Sequence, residues 1–310
     1  MQQPLSSPAG GPTYRVPSAA SIPCIFPGAI KVREAGSMTS EPETEAIKQR
    51  LVGLFGCIST RYDAQRATAN ASAPLIAAAK SHPGGAVLDI ATGTGTIALS
   101  LAKDGSSVMG IDLTEGMVEV ASAKAAEQGL SNASFSVGDA EKLGFPDATF
   151  DTVTCGLGIF FLPNQQQALL EWKRVLKPGG WVHFTVFGEG SAQPHGRMLR
   201  EQIAKYGVDA RSIFVSPLPK IEDCQRVLEE AGFTNIETTR VDQSFYQKDL
   251  QEYWIEARNA VGGALSAQLS EEQQRAFAEE HLAAVAETAT PEGIYRKSIV
   301  NLASGQKPTA

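Results

Sequence analysis

The sequence predicts an α/β fold, doubly wound around a mostly parallel sheet. Three observations predict it. Short apolar runs alternate with longer helix-like segments between Ala86 and Phe187. Three of those runs end in or near an acid, at Asp89, Asp112 and Asp139. A glycine loop, Gly93-Thr94-Gly95, separates the first run from a helix beginning near Thr96. Strands alternating with helices of this length imply a parallel sheet covered on both faces. Right-handed crossovers then place ligands at the carboxyl ends of the strands.

Taken in order, helices are expected over 43–55 and 64–80, joined near Ser59-Thr60-Arg61-Tyr62-Asp63. The alternation follows: strand 86–91, helix 96–103, strand 107–112, helix 115–128 and strand 133–137. Strand 149–155, helix 164–176 and strand 181–187 complete it. Lys177-Pro178-Gly179-Gly180 cannot continue a helix, so the chain reverses there. Helices are then expected over 194–206 and 221–231, a strand over 235–241, further helices over 250–261 and 270–287, and a closing strand over 294–303.

Bulk properties bound the function. The 310 residues carry a net charge of -7, which argues against a nucleic-acid partner, because phosphate binding needs a basic surface. The four cysteines, Cys24, Cys57, Cys155 and Cys224, form no C-x-x-C and read as reduced thiols of a cytoplasmic protein. The four histidines are scattered, without metal-ligand spacing, so no metal is expected. No apolar run is long enough to span a membrane. Residues 1–40 are rich in Pro, Ser, Gly and Ala and read as a disordered or targeting leader, with Met38 an alternative start.

The glycine loop admits two nucleotide readings. Gly93-x-Gly95-x-x-Ala98 with Asp112 fits a dinucleotide site, hence an NAD(P)-dependent oxidoreductase. The same loop, preceded by Asp89, resembles the cofactor loop of class I S-adenosylmethionine-dependent methyltransferases. Val108-Met109-Gly110-Ile111-Asp112, Ser134-Phe135-Ser136-Val137-Gly138-Asp139-Ala140 and the Lys177-Pro178-Gly179-Gly180 turn resemble that family too, in order. The resemblance covers roughly 47–308, and the Ala-Thr-Gly-Thr-Gly loop is similar to that of ubiquinone/menaquinone-biosynthesis methyltransferases.

The resemblance implies a Rossmann-like methyltransferase fold of seven strands, the last antiparallel beside the fifth. It implies one domain over 41–308, with helical lid insertions at about 190–220 and 245–290 roofing the substrate. The implied cofactor is S-adenosylmethionine. Asp89, Ala91, Thr92, Gly93 and Gly95 would lie by its methionine half; the family more often has Gly where Ala91 stands. Asp112 would hold the ribose, since one carboxylate offers two acceptor oxygens. Its alternative is a helix N-cap, a place Thr114 fills better. Met117 would lie over the adenine, its alternative being core packing; Leu113 is a further cofactor-binding candidate, and Asp139 and Ala140 would meet the adenine edge. Carbonyls of Cys155, Gly156 and Leu157 would meet the methionine amino group, with Cys155 a small buried residue rather than a nucleophile. Tyr62 would close the site.

Methyl transfer is one displacement that needs alignment and water exclusion more than a base. The candidate base is His195, which titrates near working pH; its alternative is an exposed loop histidine. His183, inside a strand, reads as a core histidine. Phe160, Phe161, Phe187, Tyr246, Tyr253 and Trp254 are placed near the pocket by the resemblance and suit a lipophilic or aromatic acceptor. Two departures set the quinone enzymes apart: Tyr62-Asp63-Ala64-Gln65-Arg66 replaces Tyr-Asp-x-Met-Asn, and Val186-Phe187-Gly188 lacks an acid. No Asn-Pro-Pro-Tyr motif and no paired-glutamate loop appear. A protein that binds the cofactor without transferring its methyl is a further alternative.

Overall fold

The computed structural model describes residues 41–82, 85–208 and 217–309. The expected leader, 1–40, lies outside the described residues. Helix α1 (Glu41–Gly56), a 3-10 turn (Ser59–Ala64) and helix α2 (Arg66–Ser81) lead into the alternation. It runs β1 (Ala86–Ile90), α3 (Thr96–Lys103), β2 (Ser107–Asp112), α4 (Glu115–Glu127), β3 (Ala133–Val137), β4 (Phe150–Gly156), α5 (Gln165–Val175) and β5 (Leu176–Phe187). Strand β5 starts earlier than expected. The Lys177–Gly180 stretch bulges out of the pairing with β4, with Gly179 at φ 78, and is held to the chain end because Gly179 N–H donates to Lys307 O and Lys307 N–H to Gly180 O.

Helices α6 (His195–Ala204) and α7 (Ile221–Glu230) follow, then β6 (Thr234–Asp242), β7 (Phe245–Gln247), α8 (Leu250–Asn259), α9 (Val261–Ser266), α10 (Glu271–Ala286), β8 (Ile294–Arg296) and β9 (Ile299–Gln306). The single helix expected over 250–261 is broken at Ala260, whose extended backbone starts α9. The closing strand is two strands. β8 pairs with β7 in a separate ribbon, and only β9 enters the main sheet.

The main sheet has seven strands in the order β3-β2-β1-β4-β5-β9-β6. β3, β2, β1, β4 and β5 pair in parallel, and β9 runs antiparallel between β5 and β6. Strands β1 and β4 are buried on both faces, as a helix-covered parallel sheet requires. The strand order reverses between β1 and β4, which opens a crevice at their carboxyl ends. Beneath it, Trp172 of α5 is fully buried and donates from Nε1 to Ala140 O, fixing the loop after β3. Leu54 of α1, Met117 of α4, Ile203 of α6, Leu265 of α9 and Phe277 of α10 share one apolar cluster. Helices α6, α9 and α10 therefore pack directly on α1 and α4.

Cys155 and Cys224 are free and buried. Cys57 is disulfide-bonded, which corrects the expectation of four reduced thiols. Among the described residues, no helix is long and apolar enough to cross a membrane, and no cluster of ligating side chains could hold a metal.

Candidate active site

Two cavities meet over the crevice. The first is built by loops at the strand ends. After β1 the chain turns sharply at Ala91, at φ 51, and Thr92 N–H donates to Ile111 O at 2.9 Å. The loop is thus stitched to β2. Gly95, at φ 84, is the N-cap of α3, and a Cβ there would stand 3.1 Å from Ala121 Cβ. Leu157, at φ 54, makes the matching turn after β4. The two turns approach so closely that a Cβ on Gly158 would lie 2.7 Å from Ala91 Cβ. Only glycine fits that contact without displacement.

Asp112, at the end of β2, lines this cavity. Its Oδ2 accepts from Gly93 N–H and its Oδ1 from Thr114 N–H, both at 2.9 Å. The carboxylate is oriented by backbone, and each oxygen keeps a second lone pair. Burial raises its pKa, against the hydrogen bonds from Thr114 and Gly93. Thr114 is the N-cap of α4 by position but makes no side-chain capping bond to the helix.

Asp139, past β3, also lines the cavity. Its Oδ1 accepts from Glu141 N–H at 2.9 Å, and its Oδ2 meets Lys48 Nζ at 2.7 Å. Lys48 Nζ also reaches Glu141 at 2.7 Å, so one ammonium of α1 ties down the loop after β3.

Ten of the fourteen expected cofactor residues are brought to this one wall: Tyr62, Ala91, Gly93, Asp112, Leu113 and Met117, then Asp139, Ala140, Gly156 and Leu157. Met117 also packs in the roof cluster. The structure does not bring Asp89, Thr92, Gly95 or Cys155 to it. Asp89 is fully buried and works as a strut. It accepts from Thr92 Oγ1 at 2.6 Å and Thr154 Oγ1 at 2.7 Å, joining the loop to β4. Desolvation pushes its pKa up to about 6, the two hydroxyls opposing. Cys155 is also fully buried, and burial pushes its thiol up, so it is no nucleophile.

Sequence reasoning missed Lys48, Phe55 and Gly158 on this wall. Lys48 lies 91 residues before Asp139, on a helix where a lysine reads as solvated. Asp63, part of the segment that departs from the quinone enzymes, accepts from Thr94 Oγ1 at 2.5 Å and pairs with Lys124, fastening the glycine loop from outside. No local pattern announces either contact.

The second cavity lies beside the first and is larger, about 230 Å³ of free space against about 100 Å³. Phe55, Tyr62, Leu157 and Phe161 line both. Burial pushes the Tyr62 phenol up to about 12, so it stays protonated. Phe160, Phe161, Phe187 and Tyr253 line the second cavity as expected, and so does His195. Tyr246 and Trp254 do not line it. Tyr246 is exposed and packs on Tyr295 outside the β7–β8 ribbon, and Trp254 packs on Phe277 in the roof.

His195 is 3% exposed, not an open loop residue, because it begins α6 against Tyr253. Its Nε2 lies 2.9 Å from Thr288 Oγ1. Thr288 spends its only proton on Val285 O at 2.7 Å, so it must accept from His195 Nε2–H. Nδ1 is then the unprotonated nitrogen. Burial, and secondarily Arg296, pull the His195 pKa down to about 4, so the ring is neutral at pH 7. His183 is a buried strand histidine as expected. Its Nδ1 meets Ser304 Oγ at 2.8 Å, its Nε2 has no hydrogen-bond partner among the described residues, and burial lowers its pKa to about 3.

Residues 88–184 match the family described as a methyltransferase domain. Over 156 residues the chain is 36% identical to the ubiquinone/menaquinone biosynthesis C-methyltransferase UbiE of Burkholderia mallei, covering 47% of this chain and 63% of that protein. Over 108 residues it is 43% identical to an uncharacterized protein of Mycobacterium tuberculosis, covering 35% of this chain and 39% of that one. The aligned stretch is less than two thirds of the length of either relative. YcgJ of Bacillus subtilis superposes with a TM-score of 0.54 at 24% identity, over 77% of this chain and 99% of that one. Phosphoethanolamine N-methyltransferase 2 of Haemonchus contortus, in complex with S-adenosyl-L-methionine, superposes with a TM-score of 0.51 at 21% identity, over 76% of this chain and 52% of that one. These likenesses show a shared fold.

Proposed function

We propose that the chain is a class I S-adenosylmethionine-dependent methyltransferase that transfers the methyl group of S-adenosylmethionine to a small lipophilic or aromatic acceptor, a reading supported by the methyltransferase-domain match over 88–184 and the likeness to UbiE. One observation carries this reading. A cavity with two carboxylates at strand ends adjoins a second cavity rich in aromatic and aliphatic side chains across a shared wall of Phe55, Tyr62, Leu157 and Phe161.

The donor set of the first cavity fits the cofactor. Asp112, held by two backbone N–H groups, keeps two lone pairs for a ribose diol. Asp139 accepts from an adenine amino group, with Leu113 and Met117 as apolar faces. Gly93 and Gly158 leave the backbone bare where the ligand passes. When bound, S-adenosylmethionine supplies an activated methyl on a sulfonium. The chain's own contribution is alignment and dryness: the shared aromatic wall excludes water, and the roof covers the acceptor. His195 Nδ1, unprotonated in the second cavity, receives the proton of a phenol or hydroxyl as it is methylated. In the absence of an acidic acceptor, positioning alone carries the transfer.

Calorimetric titration with S-adenosylmethionine, S-adenosylhomocysteine, NAD and NADP tests the reading. Binding of the first two alone is expected. Binding of NAD or NADP alone overturns it and turns the glycine loop into a dinucleotide site. Release of S-adenosylhomocysteine with a methyl mass gain on an acceptor separates a transferase from a protein that only binds.

A further inference from the structure

The second cavity is not uniformly apolar. Arg200 of α6, and Arg296 and Lys297 at the junction of β8 and β9, line it. Among the described residues no carboxylate does. The chain as a whole has a net charge of -7, so an acid-free cationic pocket inverts its average.

The three cations are only partly compensated, and only from outside the lining. Arg296 lies over the Tyr253 ring at 4.7 Å and donates to Gln247 Oε1 at 2.9 Å, which holds the guanidinium in place without neutralising it. Its charge is felt by His195 on the same cavity wall, where it adds to burial in lowering the basicity of the ring. Glu256 lies close enough to feel Arg296 and offsets part of its charge, but it does not line the cavity. Arg66 pairs with Glu252 at 3.9 Å outside the lining. Arg200 and Lys297 form no ion pair among the described residues, although Lys297 feels the Asp242 carboxylate of β6, and both are half-buried. Half-buried cations against apolar walls are costly until an anion meets them.

We infer that the methyl acceptor carries an oxyanion, a carboxylate or a phosphate, on an aromatic or lipophilic body. The anion lies against Arg296, Arg200 and Lys297, and the body lies on Phe160, Phe187 and Leu199. Guanidinium is the group suited to this, because its planar fork matches both oxyanions. The inference rests on the second cavity being the acceptor site.

The test uses the full chain saturated with S-adenosylhomocysteine, titrated with 2-naphthoate, 2-naphthyl phosphate and the neutral 2-naphthol. At least one anion is expected to bind about tenfold tighter than 2-naphthol, as a charge-assisted pair supplies. The tighter anion identifies the head group. The preference should fall towards parity in Arg296→Gln and by several-fold in Arg200→Gln. Arg296 supports Tyr253, so its variant is accepted only with an unchanged melting curve; Arg200 lacks such contacts and decides the matter if Arg296→Gln unfolds. Tighter or equal binding of 2-naphthol overturns the inference, as does a preference unmoved by the folded variants. Failure of both anions to bind at millimolar concentration overturns it too. Loss of S-adenosylhomocysteine binding in the native chain would instead sink the cofactor assignment, so the two failures are distinguishable.

Discussion

The two cavities are built on different principles. The first stands on strand ends: its carboxylates are Asp112 and Asp139, one strand apart, each with an oxygen held by a nearby backbone N–H. The second is assembled from side chains of α6, α8, α9 and the β8–β9 junction, far apart in sequence. A backbone-built site has its geometry set by sheet register and tolerates few changes. A side-chain-built site can be retuned residue by residue, which suits a fold that keeps one cofactor and varies its acceptor.

The largest expected effect separates them. Asp112→Ala removes two acceptor oxygens and should weaken S-adenosylhomocysteine about 100-fold or more, since each charge-assisted hydrogen bond contributes about 1.5–3 kcal/mol. Phe187→Ala, in the second cavity alone, should leave that affinity within about twofold. Calorimetry on both variants decides. Equal losses would mean that the cavities are one site.

His195→Gln is expected to lower kcat on a phenolic acceptor by about tenfold, less than a base matched to working pH would contribute, because burial holds the pKa of the ring near 4 rather than near 6.5. S-adenosylhomocysteine affinity should not change, because His195 does not line the first cavity. Thr288→Val should lower kcat less, by freeing the tautomer that Thr288 now fixes. An unchanged kcat in His195→Gln would remove the base and leave positioning alone.

The same contrast explains what the sequence disclosed. Strand–loop–helix units repeat with local spacing, so Asp89, Gly93, Asp112 and Asp139 stand out in the bare sequence. Their division of labour does not. Asp89 and Asp112 are both acids at strand ends, yet the first is buried between two threonines and the second borders the cavity. That difference is set by β4, whose Thr154 lies 65 residues from Asp89. In the roof, periodicity finds the helices but not their facing. It could not place Trp254 behind the wall and Tyr253 on it, although they are neighbours. Nor could it split the closing strand at Lys297, where β8 leaves for β7.

Acid should act on the regions with opposite sign. His195 and His281 in the roof are both lowered to about 4 by burial, against an unfolded value near 6.5. The unfolded chain therefore takes up protons first. Their stabilisation is complete above pH 6.5 and is lost as pH falls towards 4, each with a slope of up to about 1.4 kcal/mol per pH unit. Asp89 is raised to about 6, against about 3.9 unfolded. Its contribution is present below pH 4 and is lost as pH rises through 6. His281→Gln should thus flatten the loss of stability between pH 6.5 and 4.5, and Asp89→Asn should steepen it. Urea unfolding across that range checks both, and parallel curves for the three proteins would refute the assignment of these groups.

The smallest effect compares two turns with one backbone conformation. Ala91 and Leu157 both have φ just above 50°, where a Cβ costs an L residue about 1–2 kcal/mol. Ala91→Gly relieves that strain, and the greater unfolded-state entropy of glycine returns part of the gain, leaving about 0.5–1 kcal/mol of stabilisation. Leu157→Gly relieves the same strain but removes a buried side chain that lines both cavities. Burial of a leucine contributes about 1.5–3 kcal/mol, so the balance there turns negative. Melting temperatures should therefore move in opposite directions for one identical change of backbone freedom. A fall in both would show that Ala91 carries no strain and that the loop after β1 is held as much by its side chains as the wall after β4.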